Sequence, residues 1–444
     1  MVKKIYLAVP KPVKPGDNRV AISPQNIASL RLAAFSDFGQ HEPQLEVLVE
    51  SGAGLKTGYS DTDYESAGAT VTTWEDIQSK ADILVDVKQR GPEREDGHNS
   101  LVPGAVHFFY AHVEKGQGIE QLRAICEADN VSVYSPETIW RKDAQSGKQV
   151  RGTNLGFFSG VGAAHLLLEG VKLSYQRRGE GPVPFEFFPQ VDGATADQIT
   201  AAYENIGDLE RSLNLGIIGG PTGIVSSGAR HELSRAGLDF DHIYKDVDGA
   251  YVTHNQDALA AMIGQYDGLV NATVWNPGDP RIITMRQLRT MKAGTVLVDN
   301  TCDPDCSSVP GAESADGKPV VGGVRHSYES CWSDDNMFYW VGPDEHTFNA
   351  EDPTQPTDGT HVLYNAIGMV PGGTSTAVAS SDAYFGMIFP YLCDIVRAVS
   401  QGTELPDNGL VVKEGKLHDQ QLIGEVSDTA REDLQEFQQY LPGE

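Results

Sequence analysis

The segment LNLGIIGGPTGIVSSGARHELSRAGLDFDHIYKDVD, residues 213 to 248, has few ways to fold. Leu215 to Ile218 is an apolar run short enough for a buried parallel strand. Gly219, Gly220 and Gly223 follow at once, where the backbone must turn without Cβ atoms in the way. Ser226, Ser227, Gly228 and Ala229 read as the opening of a helix that runs through Leu233 and Ala236 and stops at Gly237. A second strand then finishes at Tyr244-Lys245-Asp246. N–H groups at the helix start suit a pyrophosphate, and a carboxylate at Asp246 can accept from both ribose hydroxyls of an adenosine. The spacing Gly220-x-x-Gly223-x-x-Ser226-x-Gly228 is longer than G-x-G-x-x-G and carries serine in the third slot, and such a turn also fits an ordinary strand–helix connection with no ligand. The candidate cofactor residues are thus Gly220, Gly223, Ser226, Ser227, Gly228 and Asp246. NAD is expected ahead of NADP, because Asp246 would repel a 2′-phosphate, although Lys245 could pair with one if the strand ended a residue earlier.

Elsewhere the chain alternates strands and helices. Ile5 to Val9 reads as a first strand, followed by the loop Asp17-Asn18-Arg19-Val20-Ala21-Ile22-Ser23 and a helix at Pro24. Leu45 to Glu50, the turn Gly52-Ala53-Gly54, a helix begun by Ser60-Asp61-Thr62-Asp63, and Thr70-Val71-Thr72 continue the rhythm, which implies a parallel sheet. Lys88 and His112 lie just past the strands Ile83 to Val87 and Val106 to Tyr110. Residues so placed converge on one rim of a doubly wound sheet. Arg19, beyond the first strand, can clamp a carboxylate with two hydrogen bonds, while Lys88 and His112 are candidates for general acid/base work, with Lys115, Glu137 and Asp303 as fallbacks. Exposed or ion-paired side chains are the plainer explanation of each residue taken singly.

The small-residue run Gly156 to Ala164 opens a helix through Leu168 that reads as a connector, with Pro182 to Pro189 and a helix near 196 to 205 completing it. Beyond Asp246 come the helix Ala258 to Ile263, the strand Gly268 to Val274, the loop Trp275 to Gly278, the helix Thr284 to Met291 and the strand Val296 to Asp299. Asp303, just outside that strand, can face a nicotinamide ribose or cap a helix. Residues 327 to 360 read as loop. His361 to Asn365 and a long apolar helix to Val399 are expected to return the chain to the first domain. Val411-Val412 and Gly415-Lys416 suggest a hairpin, and Ala430, Leu434, Phe437 and Leu441 form one helical stripe. The expected fold class is α/β: two Rossmann-like doubly wound parallel-sheet domains, residues 1–160 with 362–444 and residues 161–361, with the active site in the inter-domain cleft.

Composition narrows the partners. Sixty-two acidic against thirty-four basic residues give a formal charge of −28 over 444 residues, spread along the chain, so nucleic acid and anionic membrane are poor partners. No apolar run approaches the ~20 residues of a spanning helix, and MVKKIYLAVP meets Lys11 too soon for a signal peptide, so a cytoplasmic location is expected. Five cysteines do not suggest a disulfide framework. Cys302 and Cys306 flank Asp303 and Asp305, but no second Cys/His pair accompanies them, and no metal is expected. Homo-oligomer formation is left open.

In order, these residues resemble the alanine dehydrogenase and saccharopine dehydrogenase (lysine-forming) family over nearly the whole chain. Asn18-Arg19-Val20-Ala21-Ile22-Ser23-Pro24 is similar to the family's arginine motif, Glu50 to Gly54 through Tyr64 to Ala69 to its next signature, and Ala81 to Lys88 to the lysine segment. Within the family, Tyr110 to Gln117 resembles the saccharopine branch's His-x-x-Lys-x-Gln, as does Arg151 followed by Gly156-Phe157-Phe158-Ser159-Gly160, whereas Asn365 to Pro371 looks like alanine dehydrogenase. The resemblance implies an NAD-dependent oxidoreductase acting on a C–N bond. Lys88 and His112 would be catalytic, Arg19, Lys115, Gln117, Arg151 and Asn365 would bind an amino acid and a 2-oxo acid, and Asp303 would join the cofactor site. Alternatives are an opine-type carboxyethylornithine synthase, an alanine dehydrogenase, and a nucleotide-binding protein that has lost turnover.

Overall fold

The computed structural model describes residues 4–13, 17–34, 44–88, 93–94, 97, 99–112, 119–144, 147–178, 213–245, 249–252, 255–273, 282–283, 285–300, 339–341, 347–349, 362–365, 376–427 and 432–443. Two compact units divide the chain. One comprises Met1–Asn154 and Ala377–Glu444, the other Leu155–Thr376.

The first unit is built on an eight-stranded sheet. Six parallel strands, β1 (Lys4–Val9), β2 (Gln44–Glu50), β3 (Thr70–Thr72), β4 (Ile83–Lys88), β5 (Val106–Tyr110) and β6 (Ser132–Tyr134), lie in the spatial order 3-2-1-4-5-6. The order reverses between β1 and β4, which pair at Leu7↔Ile83 and Ala8↔Leu84, and ligands of such sheets bind outside the strands' carboxyl ends at that reversal. Ile83, Leu84, Val85 and Val87 are all buried, as expected of a strand covered on both faces, and each contributes on the order of 1.5–3 kcal/mol by leaving water.

Helices α1 (Pro24–Ala34), α2 (Asp61–Ser66), α3 (Trp74–Lys80) and α4 (Ile119–Glu127) make the crossovers. Ser60 caps α2 as its sequence suggests: its hydroxyl accepts from Asp63 N, and the Asp63 carboxylate accepts from Ser60 N at 2.7 Å, which satisfies two groups that a helix start leaves open. β7 (Trp140–Lys142) and β8 (Gln149–Arg151), read from no sequence pattern, form a separate antiparallel ribbon. The expected hairpin is present as β16 (Leu410–Lys413) and β17 (Lys416–Leu417), antiparallel to each other and to β6. The closing stripe is a 3-10 helix, Glu432–Tyr440, rather than an α-helix. Leu434 and Phe437, three residues apart and buried, share a face at its period of three.

The second unit has β9 (Leu215–Ile218), β10 (Phe240–Ile243), β11 (Gly268–Asn271), β12 (Val296–Asp299) and β15 (Val362–Asn365) in a parallel array ordered 10-9-11-12-15, extended by antiparallel β13 (Tyr339–Val341) and β14 (Thr347–Asn349). Helices α5 (Gly156–Arg177), α6 (Ile224–Arg235), α7 (Gln256–Ile263) and α8 (Met285–Thr290) belong to it.

Several sequence expectations need correction. The stretch 327–360, read as loop, contains β13 and β14, whose three residues each are too few to show a period. β15 does not return the chain to the first unit. It pairs in parallel with β12 at Val296↔Leu363, and the return comes at Ala377, where the apolar helix α9 (Ala377–Gln401) begins. β11 stops at Asn271 and β10 at Ile243, short of the expected Val274 and Asp246. The fold class is nonetheless as expected, α/β with large, mostly parallel sheets. The expected helix near 196–205, Pro182 to Pro189 and the loop Trp275 to Gly278 lie outside the described residues. The last helix, α10 (Gln420–Ser427), is capped by the Asp419 carboxylate accepting from Leu422 N.

Candidate active site

Arg19, Lys88 and His112 come together at the carboxyl ends of β1, β4 and β5 in the first unit. The loop carrying Arg19 is pinned from two sides. Thr57 Oγ1 donates to Asn18 O at 2.5 Å, and Val20 N donates to Ser381 Oγ of α9 at 3.1 Å. Ser23 and Asn26 add hydrogen bonds to the Asp382 carboxylate. Arg19 is buried, and the carboxylate that faces it is Asp17: Nε donates to Oδ1 and Nη2 to Oδ2, both at 2.8 Å. Burial by itself would raise the Asp17 carboxyl, but the adjacent Arg19 charge outweighs it and holds Asp17 below the usual carboxylate range. Burial likewise works against the Arg19 cation, and Asp17 more than offsets it. The expected bidentate clamp on substrate therefore meets a guanidinium with one edge already taken, a consequence of an acid two residues upstream that the sequence displays plainly.

The β4–β5 pairing shifts register between Val85 and Lys88 and sets Lys88 opposite Tyr110. Lys88 Nζ thereby reaches His112 Nε2 at 2.9 Å, and His112 Nδ1 lies 2.7 Å from Glu137 Oε2. Glu137 accepts from an Nδ1–H, which leaves Nε2 as the acceptor for the Lys88 ammonium; this tautomer is assigned from the network. His112 has φ 59°, a left-handed conformation that a histidine adopts only where surroundings hold it. Tyr110 stacks on its ring at 6.0 Å and 17°. Arg151 Nη1 stands 3.8 Å from Glu137 Oε1, its side chain 41% exposed.

Tyr110 and Tyr384 close the floor. Their rings lie 5.6 Å apart, and Tyr384 OH donates to Asp86 O at 2.8 Å. Burial, with Glu137 adding to it, pushes the Tyr110 phenol up to about 12, and burial puts Tyr384 well above its ordinary value, so both are neutral donors at physiological pH. Sequence reasoning passed over Asp17, Tyr110 and Tyr384. The first two each lie two residues before a singled-out residue, whereas nothing local ties Tyr384 to a site some three hundred positions earlier.

The glycine turn of the second unit is closely packed at Gly219 and open at Gly220. Gly219 has φ 148°, and a Cβ there would lie 2.7 Å from Ser226 Oγ. The Ser226 hydroxyl is buried with no partner among the described residues, while a Cβ at Gly220 would meet only Tyr244 Cδ2 at 3.9 Å. Helix α6 starts at Ile224 with Gly223 as its N-cap, two residues earlier than expected, so the backbone N–H groups not bonded within the helix come from its first turn. Ser227 N donates to Gly223 O, and Ser227 Oγ to Ile224 O.

Gly228, expected at a phosphate, packs closely against a neighbouring helix. It lies a turn deeper, against α5, where a Cβ would come within 1.9 Å of Phe157 O. His242 Nδ1–H donates to Gly219 O at 3.2 Å, and burial lowers its pKa. Lys245, just past β10, has Tyr244 and Tyr251 rings at 5.8 and 5.4 Å. At the neighbouring strand ends Asn271 Nδ2 donates to Asp299 Oδ1, and Asn300 Nδ2 to Ser159 O. Asn365 ends β15 in this second unit, not the first.

Lys115, Gln117, Asp246 and Asp303 lie outside the described residues. Among the described residues no group of three or more His, Cys, Asp or Glu side chains could hold a metal ion, and no helix is long and apolar enough to cross a membrane.

Residues 8–151 match the family model for the alanine dehydrogenase/PNT N-terminal domain. Alanine dehydrogenase 1 of Staphylococcus aureus strain bovine RF122 / ET3-1 is 26% identical over 321 residues, covering 67% of this chain and 73% of that protein. The enzyme of the same name from strain Mu50 is 25% identical over 316 residues with the same coverage. Among solved structures, an L-alanine dehydrogenase aligns with TM-score 0.60 and 17% identity, covering 96% of this chain and 99% of that one. A transhydrogenase from Sinorhizobium meliloti aligns with TM-score 0.58 and 19% identity, covering 93% and 98%. The expected alliance with the saccharopine branch receives no support from these relatives. Residues 8–151 are thus similar to the alanine dehydrogenase/PNT N-terminal domain, in a chain similar to alanine dehydrogenases over two thirds of its length and sharing their α/β fold.

Proposed function

We propose that this chain is an NAD-dependent amino acid dehydrogenase of the alanine dehydrogenase kind, interconverting a 2-amino acid with the corresponding 2-oxo acid and ammonia. The observation that carries the reading is the Lys88–His112–Glu137 chain, with contacts of 2.9 and 2.7 Å, beside a buried arginine at the order reversal of a parallel sheet. Oxidising a C–N bond leaves a carboxylate to be held, an amine that must lose protons and a carbon that must accept an activated water. Arg19 supplies a fork for the carboxylate. Lys88 Nζ gives or takes a proton at the reacting centre, and His112 carries it between Nζ and the Glu137 carboxylate.

The dinucleotide, when bound, supplies the nicotinamide carbon that accepts or returns hydride. Gly220, Gly223, Ser226 and Ser227 would hold its phosphates, with Asp246 at the adenosine ribose and Asp303 near the nicotinamide ribose. Preference for NAD over NADP is part of the proposal. Better efficiency with NADPH, or an Asp246→Ala variant with unchanged preference, would remove Asp246 from that role.

A secondary-amine product of the saccharopine or opine type is the second reading. What favours it is Arg151, a half-exposed cation beside Glu137 that suits a further carboxylate, with Lys115, Gln117 and Asn365 as its proposed companions. NADH oxidation followed by absorbance, over a panel of 2-oxo acids offered with ammonium or with amino acids, separates the readings. Ammonium-dependent turnover supports the first, and turnover only with an amino acid partner supports the second. No turnover with any pair, despite tight NADH binding, leaves a nucleotide-binding protein without catalysis.

A further inference from the structure

Arg19 is 1% exposed and Asp17 3%, yet the guanidinium is only half used. Asp17 grips one edge, Oδ1 on Nε and Oδ2 on Nη2, and Oδ1 also accepts from the Arg19 backbone N–H at 3.1 Å. A guanidinium has a second edge with the same fork geometry, formed by Nη1 and the outer hydrogen of Nη2. Among the described residues nothing accepts from Nη1. Nη1 is also not among the buried atoms left without a partner, so this edge of an otherwise buried arginine stays open to a ligand. The available edge matches a carboxylate. Lys88 lies near enough for its charge to act on Asp17, so the idle edge and the Lys88–His112 chain serve one locality.

We propose that Asp17 is a positioning residue for carboxylate recognition: by gripping the side edge of Arg19 it aims the Nη1–Nη2 edge at the carboxylate of the substrate. It has a second effect. An unpaired buried cation would strongly destabilise the fold; with Asp17 in place the pair is neutral overall, and the arginine stays buried and ordered whether or not substrate is there. Selection of a carboxylate then rests on the geometry of an aimed fork more than on net charge. The backbone pins from Thr57 and Ser381 fix the loop, and Asp17 fixes the side chain on it. The proposal rests on the reading that Arg19 receives the substrate carboxylate.

The test compares pyruvate with pyruvamide, its neutral near-isostere, in calorimetric titrations of the NADH-saturated protein, so that turnover is not required. The parent binds pyruvate the more tightly. Asp17→Asn turns one acceptor into an NH₂ group facing Nη2–H, which swings the fork away, and the pyruvate/pyruvamide affinity ratio falls about tenfold to a hundredfold, the usual cost of a misplacement near 1 Å. NADH affinity and pyruvamide affinity stay near the parent's. If the Asn variant does not fold, Asp17→Glu carries the test: it keeps the charge that the buried Arg19 needs but lengthens the grip by a methylene, so the fork is re-aimed and the ratio falls by a similar factor. An Asn or Glu variant with the parent's ratio, while Arg19→Met loses it, overturns the role of Asp17 alone. A parent that binds both ligands alike removes the carboxylate site and the proposal with it.

Discussion

Gly228→Ala tests how the glycine-turn helix is held. An alanine Cβ at 228 would stand 1.9 Å from Phe157 O and 3.0 Å from Val161 N, where ordinary contact begins at 3.4 Å. Both neighbours are backbone atoms of α5, so no rotamer change relieves the clash and α5 and α6 must separate. The reciprocal position is equally tight, with a Cβ at Gly160 1.9 Å from Val225 O. Overpacking of this kind costs up to about 3 kcal/mol, and replacing a helical glycine by alanine returns about 1 kcal/mol, leaving a net loss of about 2 kcal/mol. In urea, with a slope of about 3 kcal/mol per molar, the transition of the second unit should fall by roughly 0.7 M at unchanged slope. Because α6 also carries Ser226 against Gly219, NADH affinity should weaken in the same variant. Gly386→Ala and Gly424→Ala, in helices where a Cβ meets nothing within 4 Å, serve as controls and should be neutral or gain up to about 1 kcal/mol. A Gly228→Ala protein whose second-unit midpoint equals the parent's would refute the claim that backbone contact between α5 and α6 excludes a side chain.

Two further outcomes follow from the geometry. Lys88→Met should lower turnover on the order of 10²-fold or more, the worth of a positioned acid/base group, with thermal stability near the parent's. A Lys88→Met rate within a few fold would make Lys88 a bystander. His112→Gln should remove one limb of a bell-shaped pH profile in efficiency, because one of the coupled pair must be protonated while the other is not; an intact bell excludes His112 from proton transfer.

On acidification, stability should decline in steps that follow the depressed groups. His242, held neutral by burial, begins to cost stability as pH falls below its ordinary 6.5, because the unfolded chain then binds the extra proton. Glu232 and Asp17 follow below their ordinary 4.5 and 3.8. Denaturation midpoints across pH 7 to 2 check the order, and His242→Asn should flatten the first step.

The two-sheet α/β organisation was legible because its causes are local. A strand buried on both faces is an apolar run, as in Ile83 to Val87, and a helix start announces itself through Ser60 and Asp63. Lys88 and His112 could be marked as rim residues by the same token, since the position just past a strand end is a matter of chain order. Where elements are three residues long, as in β13 and β14, or where a boundary depends on which sheet a strand joins, as with β15, no local signal exists. Strand pairing is a contest between distant segments.

The amino-acid order by itself determined which residues reach the rim, Arg19, Lys88 and His112, because strand and turn propensities are written in neighbours. Only the tertiary structure decided what they do there. The register shift between β4 and β5 brings Lys88 within 2.9 Å of His112. The Thr57 and Ser381 pins turn a two-residue spacing into the buried Asp17–Arg19 pair, and α9 delivers Tyr384 from the far end of the chain. Such contacts join residues distant in sequence, and their geometry is set by how whole elements pack, which no short window of residues contains.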